Sequence, residues 1–299
     1  MEFVNKTTEG RRWSHPILKR FLDRCGEKTP YPENLYDEMK DDIEPDHTLN
    51  PAQKSTYRLL LEGILNESDR GNTLPQGTGL CCYCMRRIDA ASNHSTLEHV
   101  IPKSVTNAKT YGRYYDVPSS LERDDHIMVP KQVFVTRNHY QAPPFPHNVA
   151  YENLVASCDG SLPKGSTTHL CCNGPRDDHY IPPIAFIPNI HNQIKYKKNG
   201  VVVWKENPDV DSRERKRVIT DELHLNCSIL RMIRLVWNYL SERQMDCTLN
   251  EQERRRVIDT LRPQCFTIDK EVLQNFHFDI YWCLLDEYRY FNDTTIFSE

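Results

Sequence analysis

The chain has 299 residues, 38% of them hydrophobic, enough for one large domain or two to three small ones with an ordinary core. Its formal net charge of −4 excludes a chain-wide basic footprint, so nucleic-acid binding would need a local patch or a partner that supplies charge. The opening residues Met1 to Lys6 carry no signal-peptide-like apolar run and no stretch reaches the length of a membrane span, so the expected location is cytoplasmic.

In chain order, Trp13, Ile17, Leu18, Phe21 and Leu22 fall at helical spacing and predict a first helix. Residues 37–46 hold six acids and read as a solvated linker. A second helix is expected from Asn50 as N-cap and Pro51, with an apolar stripe through Tyr57, Leu60, Leu61, Ile64 and Leu65. Turn residues from Gly71 to Gly79 mark a boundary. Residues 80–185 lack long periodic segments and are rich in Cys, His and Pro, which fits a small metal-stabilised module carrying a long loop. Pro143-Pro144-Phe145-Pro146 cannot be regular structure. Asn199-Gly200 is a favoured hairpin turn and Val201 to Trp204 a strand. From about Asp211 the chain reads as helical. Ile219, Leu223, Ile229, Leu230, Ile233, Val236, Trp237 and Leu240 supply one or two amphipathic helices. Val257 and Leu261, then Val272, Phe276, Ile280, Trp282, Leu285 and Tyr288, supply two more. The expected division is an N-terminal helical region at 1–79, a core at 80–185, and a hairpin with helices at 186–299.

Six of the eleven cysteines lie in short blocks: Cys81, Cys82, Cys84, Cys158, Cys171 and Cys172. In a reducing compartment such clusters bind metal more often than they form disulfides. Cys81 and Cys84 have the Cys-x-x-Cys spacing that offers two thiolates to one zinc ion without strain. Cys158 with Cys172, thirteen residues lying between them, supplies a second, stretched pair; Cys171 is an alternative to Cys172, and His169 a weaker one. The scattered Cys25, Cys227, Cys247, Cys265 and Cys283 read as small buried hydrophobes.

Glu98-His99 carries the catalytic expectation. A carboxylate is a hard ligand for Mg or Mn, and a neutral histidine can take a proton from water. Neighbours on a regular strand point to opposite faces, so the two share a site only where the strand ends or bends, and Pro102 makes an ending plausible. Gly160 to Thr167 has a glycine-rich look, but no lysine follows its second glycine and no strand precedes it, so it reads as loop. The basic runs at 213–217 and 254–256 are solvated faces or phosphate contacts, and Asp177-Asp178-His179 is a polar loop or a ligand group.

Taken together, Cys81-x-x-Cys84, Glu98-His99-Val100-Ile101-Pro102-Lys103-Ser104, Glu152-Asn153-Leu154 with Cys158, and Cys172-Asn173 resemble the HNH (His-Me finger, ββα-metal) endonucleases. The block Glu98 to Ser104, the spacer between the cysteine pairs and the expected helix Ile219 to Asn226, followed by Leu230 and Arg234, narrow the resemblance to the PtuB-type HNH nuclease subunits of Septu-type and retron-linked antiviral defence systems. The motifs cover residues 81–173, with looser similarity to about 240. The resemblance implies an α+β fold in which a ββα-metal nuclease core with zinc knuckles is flanked by N- and C-terminal helical regions. It implies His99 as general base, Glu98 and Asn173 as holders of a catalytic Mg or Mn ion, and Asn153 as the residue that orients the turn behind His99. Cys81, Cys84, Cys158 and Cys172 would hold a structural zinc. The family's usual lysine after Cys-Asn is here Arg176, and the span from His99 to Asn153 is longer than a minimal core needs. The implied partners are nucleic acid, DNA ahead of RNA, and a companion ATPase (PtuA-like), with the helical flanks as its docking surfaces and no membrane involved. The competing reading is a non-catalytic zinc module that binds nucleic acid or protein, in which Glu98 and His99 are dispensable.

Overall fold

A computed structural model describes residues 1, 4, 8–26, 35–42, 54–66, 79–90, 94–103, 115–116, 129–130, 145, 148–162, 170–179, 181–187, 190–205, 210–269 and 278–298. The first apolar stripe forms α1 (Thr8–Cys25), which buries Leu18 and Phe21. The expected acidic linker is instead, over its first part, the end of a helix, α2 (Leu35–Asp41). Leu35, Tyr36 and Met39 share its inner face and are buried, while Asp37, Lys40 and Asp41 stay in solvent. Acids on the outer face do not oppose a helix whose other face enters a core. α3 (Thr56–Asn66) buries Leu60, Leu61, Ile64 and Leu65 along the expected stripe. Its expected cap at Asn50 and Pro51 lies outside the described residues, as do most of Gly71 to Gly79 and of the proline run at 143–146.

β1 (Ser95–His99) pairs antiparallel with β4 (Leu154–Cys158), Ser95 facing Cys158 and His99 facing Leu154. Between them in sequence, β2 (Tyr115–Asp116) and β3 (Val129–Pro130) make a short ladder of their own. Among the described residues the β1–β4 sheet has two strands, and helices rather than a third strand satisfy the outer edge at Leu97. Its amide donates to the Tyr57 hydroxyl at 2.9 Å, and its carbonyl accepts from the Tyr36 hydroxyl at 2.7 Å. An unpaired edge would otherwise leave those groups seeking water or another chain.

β5 (Ile194–Lys197) and β6 (Val202–Trp204) form the expected hairpin, with Gly200 at φ +79°. β7 (Phe297–Ser298) joins β5 in parallel, a pairing of two residues that no periodicity announces. The segment expected to be helical from Ile219 to Asn226 is a π-helical turn, Val218–Glu222, followed by a left-handed His224 at φ 45°. That break frees the Asn226 side chain, which brackets Val202 by accepting from its amide at 2.8 Å and donating to its carbonyl at 2.9 Å. α4 (Ser228–Glu242) is buried on most of its surface. α5 (Glu251–Ile268) opens on an Asn250–Glu253 capping box and buries Val257, Ile258, Leu261 and Cys265. α6 (Phe278–Glu287) follows; Val272 and Phe276 lie outside the described residues.

The fold is thus α+β with small sheets. Buried apolar residues from all three expected regions join one core, and backbone bonds cross between them: Val4 to Ala185 at 2.8 Å, Cys172 to Leu223 at 2.9 Å, and Arg87 to Glu287 at 2.6 Å. Among the described residues, no helix is long and apolar enough to cross a membrane.

Candidate metal centre and the adjoining cleft

Two turns bring the cysteines together. In the first, Leu80 bridges Arg87, the Cys81 amide donates to the Arg86 carbonyl at 2.8 Å, and Met85 takes a left-handed φ of 65°. In the second, the stretch after Cys158 closes at its base: Ser161 bridges Leu170, and the Cys171 amide donates to the Gly160 carbonyl at 2.8 Å. Gly160 has φ +86°, and a Cβ there would stand 2.1 Å from the Cys171 carbonyl oxygen, so the position requires glycine. The thirteen-residue separation is therefore no obstacle, because its ends are held together by backbone. His169 lies outside the described residues.

The Sγ atoms of Cys81, Cys84, Cys158 and Cys172 all lie within 4.8 Å of one another and are buried. Cys81 and Cys172 sulfurs are 3.7 Å apart, and those of Cys84 and Cys158 are 3.8 Å apart. Sulfurs bound to one tetrahedral zinc at ~2.3 Å are ~3.8 Å apart, whereas a disulfide needs ~2.05 Å. The donor set and spacing fit a closed four-thiolate zinc site, with Cys172 rather than Cys171 as the fourth ligand of the group. Burial pushes the Cys84 and Cys172 thiols up, so a bound cation is what would stabilise their thiolates here. The Tyr288 hydroxyl lies 3.7 Å from Cys84 Sγ and the Ser157 hydroxyl 3.6 Å from Cys81 Sγ, within hydrogen-bond reach of the ligand sulfurs.

Three arginines with almost no exposure, Arg86, Arg176 and Arg234, surround this region. Arg86 pairs with Glu287 and donates to the Ser161 carbonyl at 2.8 Å. Arg234 donates to the carbonyls of Gly200 at 2.7 Å and Leu225 at 2.5 Å; among the described residues no carboxylate lies within ion-pair reach of it.

At the other end of β1 the strand stops, and the chain bends after His99. Glu98, His99 and Asn173 line one cleft of about 270 Å³, together with Tyr36, Lys40, Lys103, Asp177 and Asp178. His99 Nε2 is 2.8 Å from the Asn148 carbonyl oxygen. A carbonyl can only accept, so Nε2 carries a proton, and in the neutral ring Nδ1 is the basic nitrogen. The Tyr36 ring meets the imidazole edge-on, with centroids 4.3 Å apart. Asn153 stands behind the cleft, fully buried. It accepts from the Ile101 amide at 2.7 Å and donates to the Ile101 carbonyl at 2.9 Å, while its own carbonyl takes the Val100 amide at 2.9 Å. This asparagine fixes the backbone immediately after His99.

Glu98 is buried and ion-paired with Arg176. Burial pushes its carboxyl up to about 7, against the opposing pull of the Arg176 guanidinium. Arg176 also donates to the Tyr83 hydroxyl at 3.2 Å and the Val100 carbonyl at 2.9 Å. The single helical turn Asn173–Arg176 therefore places Asn173 at the cleft and Arg176 beneath it. His179 does not join the cleft group; its Nδ1 lies 2.8 Å from Glu222. Glu152 has a structural task, pairing with Arg11 and His15 of α1, each at 3.0 Å. Sequence reasoning missed Tyr36 and Asn148, whose contribution comes through long-range packing, and missed the capture of Glu98 by Arg176. The unusual basic residue after Cys-Asn was the one signal for that capture.

Compared with known proteins, the chain matches no family model, no curated protein and no solved structure.

Proposed function

We propose that this protein is a zinc-stabilised endonuclease of the HNH kind, hydrolysing phosphodiester bonds in DNA ahead of RNA. One observation carries the reading: the histidine of the Glu-His block sits at a strand end, with its Nε2 proton directed to a carbonyl and its supporting turn bracketed by Asn153. Those are the needs of a general base that must present a lone pair at a fixed point. The antiparallel pair β1–β4, the turn beginning at Asn173 and the four-cysteine centre are the parts that a ββα-metal frame asks for. In this mechanism His99 Nδ1 takes a proton from the attacking water. Lys40 and Lys103 line the cleft, paired with Asp37 at 3.0 and 3.3 Å, and a phosphate there would compete with that carboxylate for their charge.

Zinc would have the structural role and leave the chemistry to the cleft. A catalytic Mg or Mn ion is expected on Glu98 and Asn173. With the Glu98–Arg176 pair closed the carboxylate is already neutralised, so these residues as arranged do not form an ion site, and binding there requires the pair to open. The same pair favours a second reading, a non-catalytic zinc module in which Glu98 is only a core carboxylate. The antiviral role and the ATPase partner (PtuA-like) rest on the resemblance of the cysteine and Glu-His blocks. The helical flanks offer that partner less than expected, because α4 is taken up by the protein's own core and Tyr36 of α2 stands on His99; the outer face of α5 remains.

The test is cleavage of plasmid DNA and of RNA by purified protein in Mg or Mn, with and without the ATPase. His99→Ala should lower the rate by about 10²–10⁴ while zinc content and melting temperature hold. Undiminished cleavage by that variant rejects the mechanism, and no cleavage by wild-type protein under any of these conditions favours the second reading.

A further inference from the structure

A second cavity, about 520 Å³, lies between α4, α5 and the turn that joins β5 to β6, and it has no part in the nuclease reading. We propose that it binds a mononucleotide: a phosphate monoester carrying a flat ring with amide-like edges. Its size falls within the roughly 300–1,000 Å³ of small-molecule sites.

The charge on its walls is unbalanced. Lys198, Arg231 and Arg243 face it with Glu242 as the one acid among its lining residues. Glu242 is already divided between Lys198 at 3.3 Å and Arg243 at 4.0 Å. Arg231 is left over: among the described residues no acid lies within ion-pair reach of it, and its Nε is buried without a hydrogen-bond partner. A phosphate supplies the missing charge, and the outer fork of a guanidinium suits its oxygens.

The remainder of the wall suits a ring rather than a bare anion. Asn238 and Gln264 offer amides that can donate and accept at a base edge, beside the apolar side chains of Leu235 and Leu261. The site is also held in place. Gly200 at φ +79° packs on α4 so closely that a Cβ there would lie 2.1 Å from the Arg231 carbonyl oxygen. Its own carbonyl is tied to Arg234 at 2.7 Å. The turn tip bearing Lys198 and Asn199 therefore has little freedom to close the cavity or withdraw from it, so the ligand meets a preformed wall.

Calorimetric titration of the full chain with AMP, GMP, CMP and UMP, with adenosine and inorganic phosphate as further arms, decides this. At least one mononucleotide should bind with a Kd of about 1 mM or below and at least about tenfold more tightly than adenosine or phosphate. Arg231→Gln should weaken that binding by about tenfold or more, as should Gln264→Glu, which places a negative charge at an exposed position that α5 does not need for packing. Three outcomes overturn the proposal: no heat from any mononucleotide up to about 5 mM, phosphate binding as tightly as all four, or binding indifferent to both variants. None of these readouts depends on cleavage, so the nuclease reading stands or falls separately.

Discussion

The four-cysteine centre and the His99 cleft occupy opposite ends of one two-stranded ladder, about 13 Å apart along β1, and they are built on different terms. The cysteine end is buried, its donors identical, its geometry closed by short backbone bridges at Leu80–Arg87 and Ser161–Leu170. The cleft end is half-open and assembled from α2, β1 and the Asn173 turn, and its one buried carboxylate already has a cation. A closed donor set serves stability; an open cleft with a poised imidazole serves chemistry. The Glu98–Arg176–Tyr83 contacts run between the two ends, joining a cysteine knuckle to the cleft floor.

The harshest test of this division is removal of the metal. Cys81→Ser, or chelation, should strip about one zinc per chain and cost on the order of 10 kcal/mol, comparable with the whole stability of a domain. The variant should lose its cooperative thermal transition, which metal analysis and calorimetry will report together. Wild-type protein purified without zinc would erase the contrast between the ends. Smaller, and more informative about the link between them, is Arg176→Met. Leaving Glu98 buried alone should destabilise by about 3–5 kcal/mol, and Glu98→Gln in the same chain should recover much of it. Chemical denaturation of the three variants measures the coupling; additive losses would mean that the pair does not join the two ends. The mildest is Tyr36→Phe, which keeps the ring on His99 but removes the hydroxyl from the Leu97 carbonyl. It should cost about 1 kcal/mol and leave zinc content untouched. A loss of zinc from that variant would show that the edge of β1 is shared by both ends after all.

The same contrast explains what could be read before the fold was known. Cys81 and Cys84 lie three residues apart, so their geometry is a property of one turn, and the Glu98-His99-x-x-Pro102 block announces a strand end locally. Asn199-Gly200 gave the hairpin for the same reason. The cleft partners are different. Tyr36 reaches His99 across 63 residues, and its helix hid behind acids whose net effect on a sequence window is that of a linker. Asn226 looked helical because Leu223, Leu225 and Leu230 surround it, yet its amide is committed to bracketing Val202, and tertiary demand overrode propensity. Cys172 was distinguishable from Cys171 only through the fold, since both are buried neighbours and the choice depends on how the Gly160 turn rotates the chain.

Arg234 gives the assembly of the molecule an order. Its guanidinium is enclosed, its described partners are neutral carbonyls, and burial disfavours its charge, while Cys84 of the sulfur centre is among the groups that favour it. A four-thiolate zinc site carries a formal charge of about −2. A chain collapsing before the metal arrives would have to enclose that cation beside neutral thiols, an expensive arrangement. Metal capture should therefore precede, or accompany, the docking of α4. A newly made chain starved of zinc should stall with its C-terminal helices undocked and exposed to proteases.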